Sequence, residues 1–365
     1  MKLNLASSLA GLAVALSLSV SAQTAPLDIG VVFDLAGKYD HAINQAVSAG
    51  LDRAEVDFGV RISSTTPLNA ADALRALREA ASSNQLVLSV GHLSAGPVSQ
   101  LARLTPSVHY AVVDDLPQGV NTTGIRFREN EGAFIAGYLS GSDTSTSVVG
   151  VVAPPASPTT ASFVAAFQAG VKLVCTGCVV LVGNVNGVDA TASAEAISKG
   201  MLQRGADILF AAASSGKLGV IAAVRNRQCL RAADLPGGVR FSRDLFAKVT
   251  RGKDYKAQCG SQSRPVFFIG WESDYLSLGD TDADETTLNT GLAAIVKRAD
   301  NAVYSLIRDV VKHRPWRTGE NGFGFQNGGL EVTVNTFNAA LIDPAMQARL
   351  TKVEQLIVNG SVKLR

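Results

Sequence analysis

From residue 27 onward the chain alternates between short apolar runs and longer stretches in which apolar residues recur every three or four positions. The runs are LDIGVVF (27–33), QLVLSVG (85–91), HYAVVDD (109–115), SVVGVVAPP (147–155), VVLVGNVN (179–186), ADILFAAA (206–213) and PVFFIGW (265–271). Helical periodicity fills 40–57, 69–83, 94–104, 130–140, 158–173, 189–204 and 216–226. This alternation predicts parallel sheets covered by helices, and nearly continuous apolar runs fit strands buried on both faces. The strands outnumber those of one ordinary open sheet. The expected fold class is therefore α/β, with two doubly wound, Rossmann-like lobes and a ligand cleft between them.

The segment GIRFRENEGAFIAGYLSG (124–141), followed by SDTSTS (142–147), is the expected first crossing between lobes. A second is expected after PVFFIGWESDY, with a helix over 291–311 returning to the first lobe, and a third in HRPWRTGENGFGFQNGG (313–329). The N-terminal lobe is then 23–141 plus about 276–318, and the C-terminal lobe 142–275 plus about 319–365.

Composition narrows the class. The 365 residues are 47% hydrophobic and 18% charged with a net charge of +2, which suits a globular chain. No basic block points to nucleic acid or a membrane surface. Residues 1–22 read as a signal peptide: Lys2, the apolar run LASSLAGLAVALSLSV (5–20), and the small-residue site Val20-Ser21-Ala22. An uncleaved anchor is the alternative. No cysteine lies near this site to carry a lipid, so the expectation is an exported protein, in a periplasm or on the outer face of the cytoplasmic membrane.

The four cysteines are Cys175, Cys178, Cys229 and Cys259. An even count in an exported chain favours disulfides. Cys229–Cys259 would close a polar inserted stretch, and Cys175–Cys178 a tight turn after a helix. A redox pair or a zinc site would use the same residues.

In open α/β sheets ligands bind beyond the carboxyl ends of strands. Asp34, Gly91, His92, Asp114 and Asp115 stand there in the first lobe; Ser214, Ser215, Gly216, Trp271, Glu272 and Asp274 stand there in the second. Phosphate-cradling, nucleophile-elbow and zinc-protease motifs are missing from the sequence. Ser214 to Lys217 has S-x-x-K spacing, which reads as a strand-to-helix turn, and His41, His92, His109 and His313 show no metal spacing. Strand-end carboxylates can do acid–base work, but they also accept hydrogen bonds from a polyol without any catalysis. Asp34 and Asp114 suit vicinal hydroxyls, with Asn44 beside them. Asp40 is a candidate both as a ligand contact and as a helix cap.

Phe127 to Tyr138, FRENEGAFIAGY, resembles the signature of the basic membrane protein family of ABC-transporter substrate-binding proteins, also called purine-nucleoside receptors. FVAAFQAGVK (163–172), RGADILFAAASSGKLGVIAAV (204–224), FFIGWESDY (267–275) and IVKRADNAVY (295–304) extend the resemblance over most of the chain. It implies the type I periplasmic binding protein fold, no catalysis, no cofactor or metal, a monomer, a nucleoside ligand and a membrane permease as partner. It also implies ligand contacts at Asp34, Asp40, Asn44, Asp114, Gly216, Asp274 and Lys297. Ile43 stands where the family has a base-stacking Phe, and Tyr275 where it has Gln. Trp271 is a candidate for stacking from the other lobe and equally for packing at the hinge. A ligand sensor for a membrane receptor and a binding protein for a sugar or other metabolite are the alternative functions.

Overall fold

The computed structural model describes residues 26–91, 93–187 and 189–364; the expected signal peptide and His92 lie outside the described residues. The first lobe is laid down as β1 (Asp28–Val32), α1 (Ile43–Phe58), β2 (Arg61–Thr65), α2 (Ala70–Ser83), β3 (Leu86–Val90), α3 (Ala95–Leu104), β4 (His109–Val113) and β5 (Thr122–Phe127). Helix α4 (Glu129–Asp143) then crosses to β6 (Val148–Ala153), α5 (Pro158–Val174), β7 (Val179–Asn184), α6 (Ala190–Gln203), β8 (Ile208–Ala211) and α7 (Lys217–Arg227). A small excursion follows, with β9 (Cys229–Arg231), α8 (Lys253–Cys259) and β10 (Ser263–Pro265). The chain ends through β11 (Phe267–Glu272), β12 (Gly291–Lys297), α9 (Ala299–Val311), β13 (Gly319–Phe323), β14 (Leu330–Thr333) and α10 (Pro344–Val358).

The strands form two six-stranded sheets, ordered β13-β5-β4-β3-β1-β2 and β14-β12-β11-β8-β6-β7, plus the antiparallel pair β9-β10. Every pairing in the large sheets is parallel except β12 with β14. The two orders match position by position, so each first-lobe element has a second-lobe counterpart: β4 with β11, β5 with β12, α2 with α6, α3 with α7. The likeness extends to the backbone. Arg128 before α4 has φ −79° and ψ 69°, and Arg298 before α9 has φ −81° and ψ 64°.

The strands of the sheet interiors are buried because both faces carry helices. Side-chain caps set several helix starts: Asn69, Ser157, Asp189 and Asp343 each accept a backbone N–H of the first turn, and Pro158 and Pro344 follow two of them. The small residues of the first crossing have a packing cause. A Cβ at Gly137 would overlap the Phe167 carbonyl, and one at Gly170 the Phe134 carbonyl, so α4 and α5 meet backbone to backbone. The SDTSTS link is held by one carboxylate. Asp207 accepts from Thr144 Oγ1, Ser145 N and Ser145 Oγ, each at 2.6 Å, and from Thr146 N at 3.1 Å.

Two expectations need correction. Residues 291–311 are not one helix returning to the first lobe: β12 is a strand of the second sheet, and only α9 packs on the first lobe, against α1. Strand β13, placed by sequence in the second lobe, pairs with β5 in the first sheet. The boundaries near 276 and 318 therefore cut through segments that the sheets divide differently. The chain changes lobe along α4, along α9, and between β13 and β14. Both disulfides form, Cys175–Cys178 after α5 and Cys229–Cys259 around the excursion.

Candidate ligand site

Strand register places the first-lobe groups. Val32 pairs with Ser89, and Ser89 with Val112. Two residues further on, Asp34, Gly91 and Asp114 end three neighbouring strands in line, and Gly91 N still donates to Val113 O at 3.0 Å. At about 4.8 Å per strand the two aspartates stand roughly 10 Å apart along this rim. Gly91, with φ +97°, leaves the floor between them free of a side chain, and a Cβ there would press on Asp34 Cβ at 3.2 Å.

The loop after β1 consumes much of its own polarity. Buried Asn44 donates to Asp34 Oδ1 at 2.5 Å and to Gly37 O at 3.0 Å, while its Oδ1 accepts from Asp34 N at 3.4 Å. Asn44 therefore aims Asp34. Asp40 accepts from Ala42 N, Gln45 N and Asn44 N at 2.8, 3.1 and 3.2 Å, which caps α1. Asp34 Oδ1 also takes Ala36 N at 2.9 Å, and Oδ2 takes no hydrogen bond from the described residues.

The junction of the lobes holds a charge cluster. Lys297, last residue of β12 and 3% exposed, reaches Glu129 Oε1 at 2.5 Å, Asp114 Oδ2 at 3.0 Å and Glu272 Oε1 at 3.3 Å. Lys217 holds the other Glu272 oxygen at 3.3 Å. One ammonium is thus shared by a first-lobe carboxylate, a second-lobe carboxylate and the first residue of a crossing helix. Burial opposes the charged form of Lys297, but Asp114, Glu272 and Glu129 outweigh it and push its pKa up. Burial would raise Glu272, yet Lys297, Lys217 and the Ser214 hydroxyl hold it below the ordinary value of 4.5. Asp114 and Glu272, counterparts in the two lobes, carry φ of +70° and +71°. Left-handed backbone at a non-glycine residue is unfavourable, and its recurrence at both charged rims marks a site where orientation is enforced. The three carboxylates could hold a cation, with ligand oxygens within 4.8 Å of one another, and the Lys297 ammonium already contacts all three.

The other predicted residues are placed differently. Asp274 accepts from Leu276 N at 2.9 Å and from Asn335 Nδ2 at 2.8 Å, fastening a loop. Gly216 begins α7 against α6, where a Cβ would stand 2.9 Å from Ala190 O. Trp271, 3% exposed, packs on Phe163 and Phe210 at ring separations of 5.3 and 6.0 Å and against Gly132. It also lines, with Phe163, Ser214, Glu129 and Glu272, a small cavity of about 110 Å³. Glu129 was missed by sequence reasoning, which read the FRENEG stretch as a mark of the fold and not of the site. Glu272 stood at a strand end without a partner to single it out, and Lys217 was read only within a turn.

Two parallel-sheet lobes joined by three crossings, with charged groups of both meeting at the junction, define a two-lobed solute-binding protein. Residues 28–230, more than half of the chain, match the family described as ABC transporter substrate-binding protein PnrA-like, and the chain belongs to that family. Basic membrane protein D of Borreliella burgdorferi is 24% identical over 351 residues, covering 94% of this chain and 88% of that one. An uncharacterized lipoprotein of Pyrococcus furiosus is 30% identical over 138 residues, 35% of each chain. The crystal structure of an ABC transporter system solute-binding protein from Aeropyrum pernix K1 shares the fold, with a TM-score of 0.65, 21% identity and 93% of each chain covered. ABC substrate-binding proteins act outside the cytoplasm, and no helix among the described residues is long and apolar enough to cross a membrane. That a relative is named a lipoprotein leaves the expectation of an unlipidated chain without support.

Proposed function

We propose that the protein captures a purine nucleoside between its lobes and delivers it to an ABC permease, working as a monomer and without turnover. The observation that carries this reading is the rim of Asp34 and Asp114 flanking the bare floor at Gly91, where paired carboxylates accept ribose hydroxyls. The base then lies toward the second lobe, against Phe163 and Trp271, with Ser214 and Glu272 at its polar rim. Aromatic contact from this side takes the place of the aromatic residue absent at Ile43. Asp114, Glu129 and Glu272 outnumber Lys217 and Lys297, so the junction favours a neutral nucleoside over a phosphorylated one.

The test is a thermal-shift panel on residues 23–365 with inosine, guanosine, adenosine, the free bases, ribose and hexoses. A nucleoside at one hundred times its Kd adds about 2.7 kcal/mol to the native state, and Asp114→Ala should abolish the shift. If no nucleoside raises the melting temperature while a sugar does, the ligand class is wrong and the binding-protein reading stands.

A further inference from the structure

The internal likeness of the lobes supplies a control for a cavity that adjoins the nucleoside rim and shares Asp34 and Gly91 with it. In the second lobe, α6 and α7 touch: Gly216, at the N-cap of α7, lies against Ala190 O and Ala194, and a Cβ at Gly219 would overlap the Thr191 carbonyl. The counterparts of these glycines, counted from the N-cap of α3, are Ser94 and Pro97. These bulkier residues stand where the second lobe lets two helices close together. Between α2 and α3 the first lobe has instead a cavity of about 240 Å³. Its lining is apolar, with Val32, Ala73, Leu77, Val90, Leu93 and Pro97 among it. Ser89 and Ser94 are bonded to each other at 2.8 Å, which leaves little polarity in the wall.

Among the described residues the cavity has one charged lining residue, Asp34. Its Oδ1 is occupied by Asn44 and Ala36, and Oδ2 takes no hydrogen bond from the described residues. For scale, an engineered apolar cavity of about 150 Å³ binds benzene. An apolar pocket with a single convergent polar group is the usual form of a small-molecule site.

We infer that this cavity is a binding subsite for a small amphipathic molecule: an apolar body of at least benzene size between α2 and α3, and a neutral or cationic hydrogen-bond donor on Asp34. An anionic head group is excluded, because it would meet the Asp34 carboxylate. The cavity shares Asp34 and Gly91 with the rim proposed for the nucleoside, while Asp114 and Lys297 do not line it, so the subsite adjoins that rim and meets it at Asp34.

The experiment is a fluorine NMR titration of residues 23–365 with 4-fluorobenzyl alcohol, 4-fluorobenzylamine and 4-fluorobenzoate. The alcohol and the amine should bind saturably, and the benzoate at least tenfold more weakly. Ala73→Phe, which fills the cavity from α2, should reduce alcohol binding at least tenfold, and Ala73→Leu, a smaller insertion, should weaken it less. An unchanged melting temperature for Ala73→Leu verifies that the fold is kept. The inference is overturned if the wild type shows no saturable binding, if benzoate binds as well as the alcohol, or if neither Ala73 variant weakens binding. Because Asp34 is common to both sites, inosine and the alcohol should compete; failure of inosine to bind counts against the nucleoside reading and leaves the outcomes above as they stand.

Discussion

Lys297→Met removes an ammonium that touches three carboxylates and keeps the length and apolar stem of the side chain. Asp114, Glu129 and Glu272 then face one another with ligand oxygens within 4.8 Å, and among the described residues only Glu272 keeps a cation, Lys217 at 3.3 Å. Deleting one partner of a buried ion pair costs about 3–5 kcal/mol, because the remaining charge is left without compensation. For about 340 described residues, an unfolding entropy of roughly 2.1 cal/mol/K per residue converts this to a fall of about 4–7 °C in Tm. The sign of the pH dependence follows. In the wild type Glu272 is held below 4.5, so its contribution is present above that value and is lost only as pH falls through the lowered one. In the variant Glu272 loses Lys297, the strongest of the groups that hold its pKa down, and takes up a proton more readily, so the deficit should shrink between pH 7.5 and pH 5. Adding Glu129→Gln removes one of the repelling charges and should recover at least about 1 kcal/mol, a coupling that a double-mutant cycle measures. Melting curves of the four proteins at the two pH values are sufficient. A Tm for Lys297→Met within 1 °C of wild type at pH 7.5 refutes the reasoning, as does a deficit independent of pH.

Other outcomes are as definite. Asp143, buried at the end of α4 with Oδ2 unpartnered, has its pKa pushed up to about 7 by burial, against the pull of Arg349 and Arg243. The wild type should therefore lose about 1.4 kcal/mol per pH unit relative to Asp143→Asn as pH rises from about 4 toward 7; urea unfolding of both proteins at pH 5 and 7.5 reads the difference, and a constant gap contradicts it. Asn44→Ala strips three hydrogen bonds from the loop after β1, costing about 2–3 kcal/mol in a melt and weakening inosine about tenfold in calorimetry by freeing Asp34. Replacing Cys229 and Cys259 by serine opens a loop closed across 30 residues, against 3 for Cys175 and Cys178. On the chain-entropy relation the costs are about 3.7 and 1.6 kcal/mol, so the first double variant should melt lower.

Most of the fold was legible because its strands carry a simple signal. The seven apolar runs became β1, β3, β4, β6, β7, β8 and β11, and the seven periodic stretches became α1 to α7. The strands that escaped lack that signal. RISST at β2 and GENGF at β13 are polar edge strands with no buried run. GLAAIVK at β12 is apolar at nearly every position, contains two alanines, and runs into α9 with no Gly or Pro between them, so periodicity cannot divide strand from helix. The site was half legible for a similar reason. Strand-end aspartates announce themselves, but the ion cluster is a long-range meeting of residues 114, 129, 272 and 297. Asp40 shows the opposite case, in which a local competitor, the free amides at the start of α1, claims a carboxylate that looks available for a ligand.

The placement of β13 also bears on the order in which the fold can be completed. The first lobe waits for residues 319–323 to complete its sheet and for α9 to cover α1, where Gly50 brings the two helices together. Until nearly the whole polypeptide has been synthesised, β5 keeps an open edge and α1 an uncovered apolar flank. Contacts this distant in sequence form slowly. The interleaving that joins the lobes thus also ties completion of the first half of the fold to residues near the end of the chain.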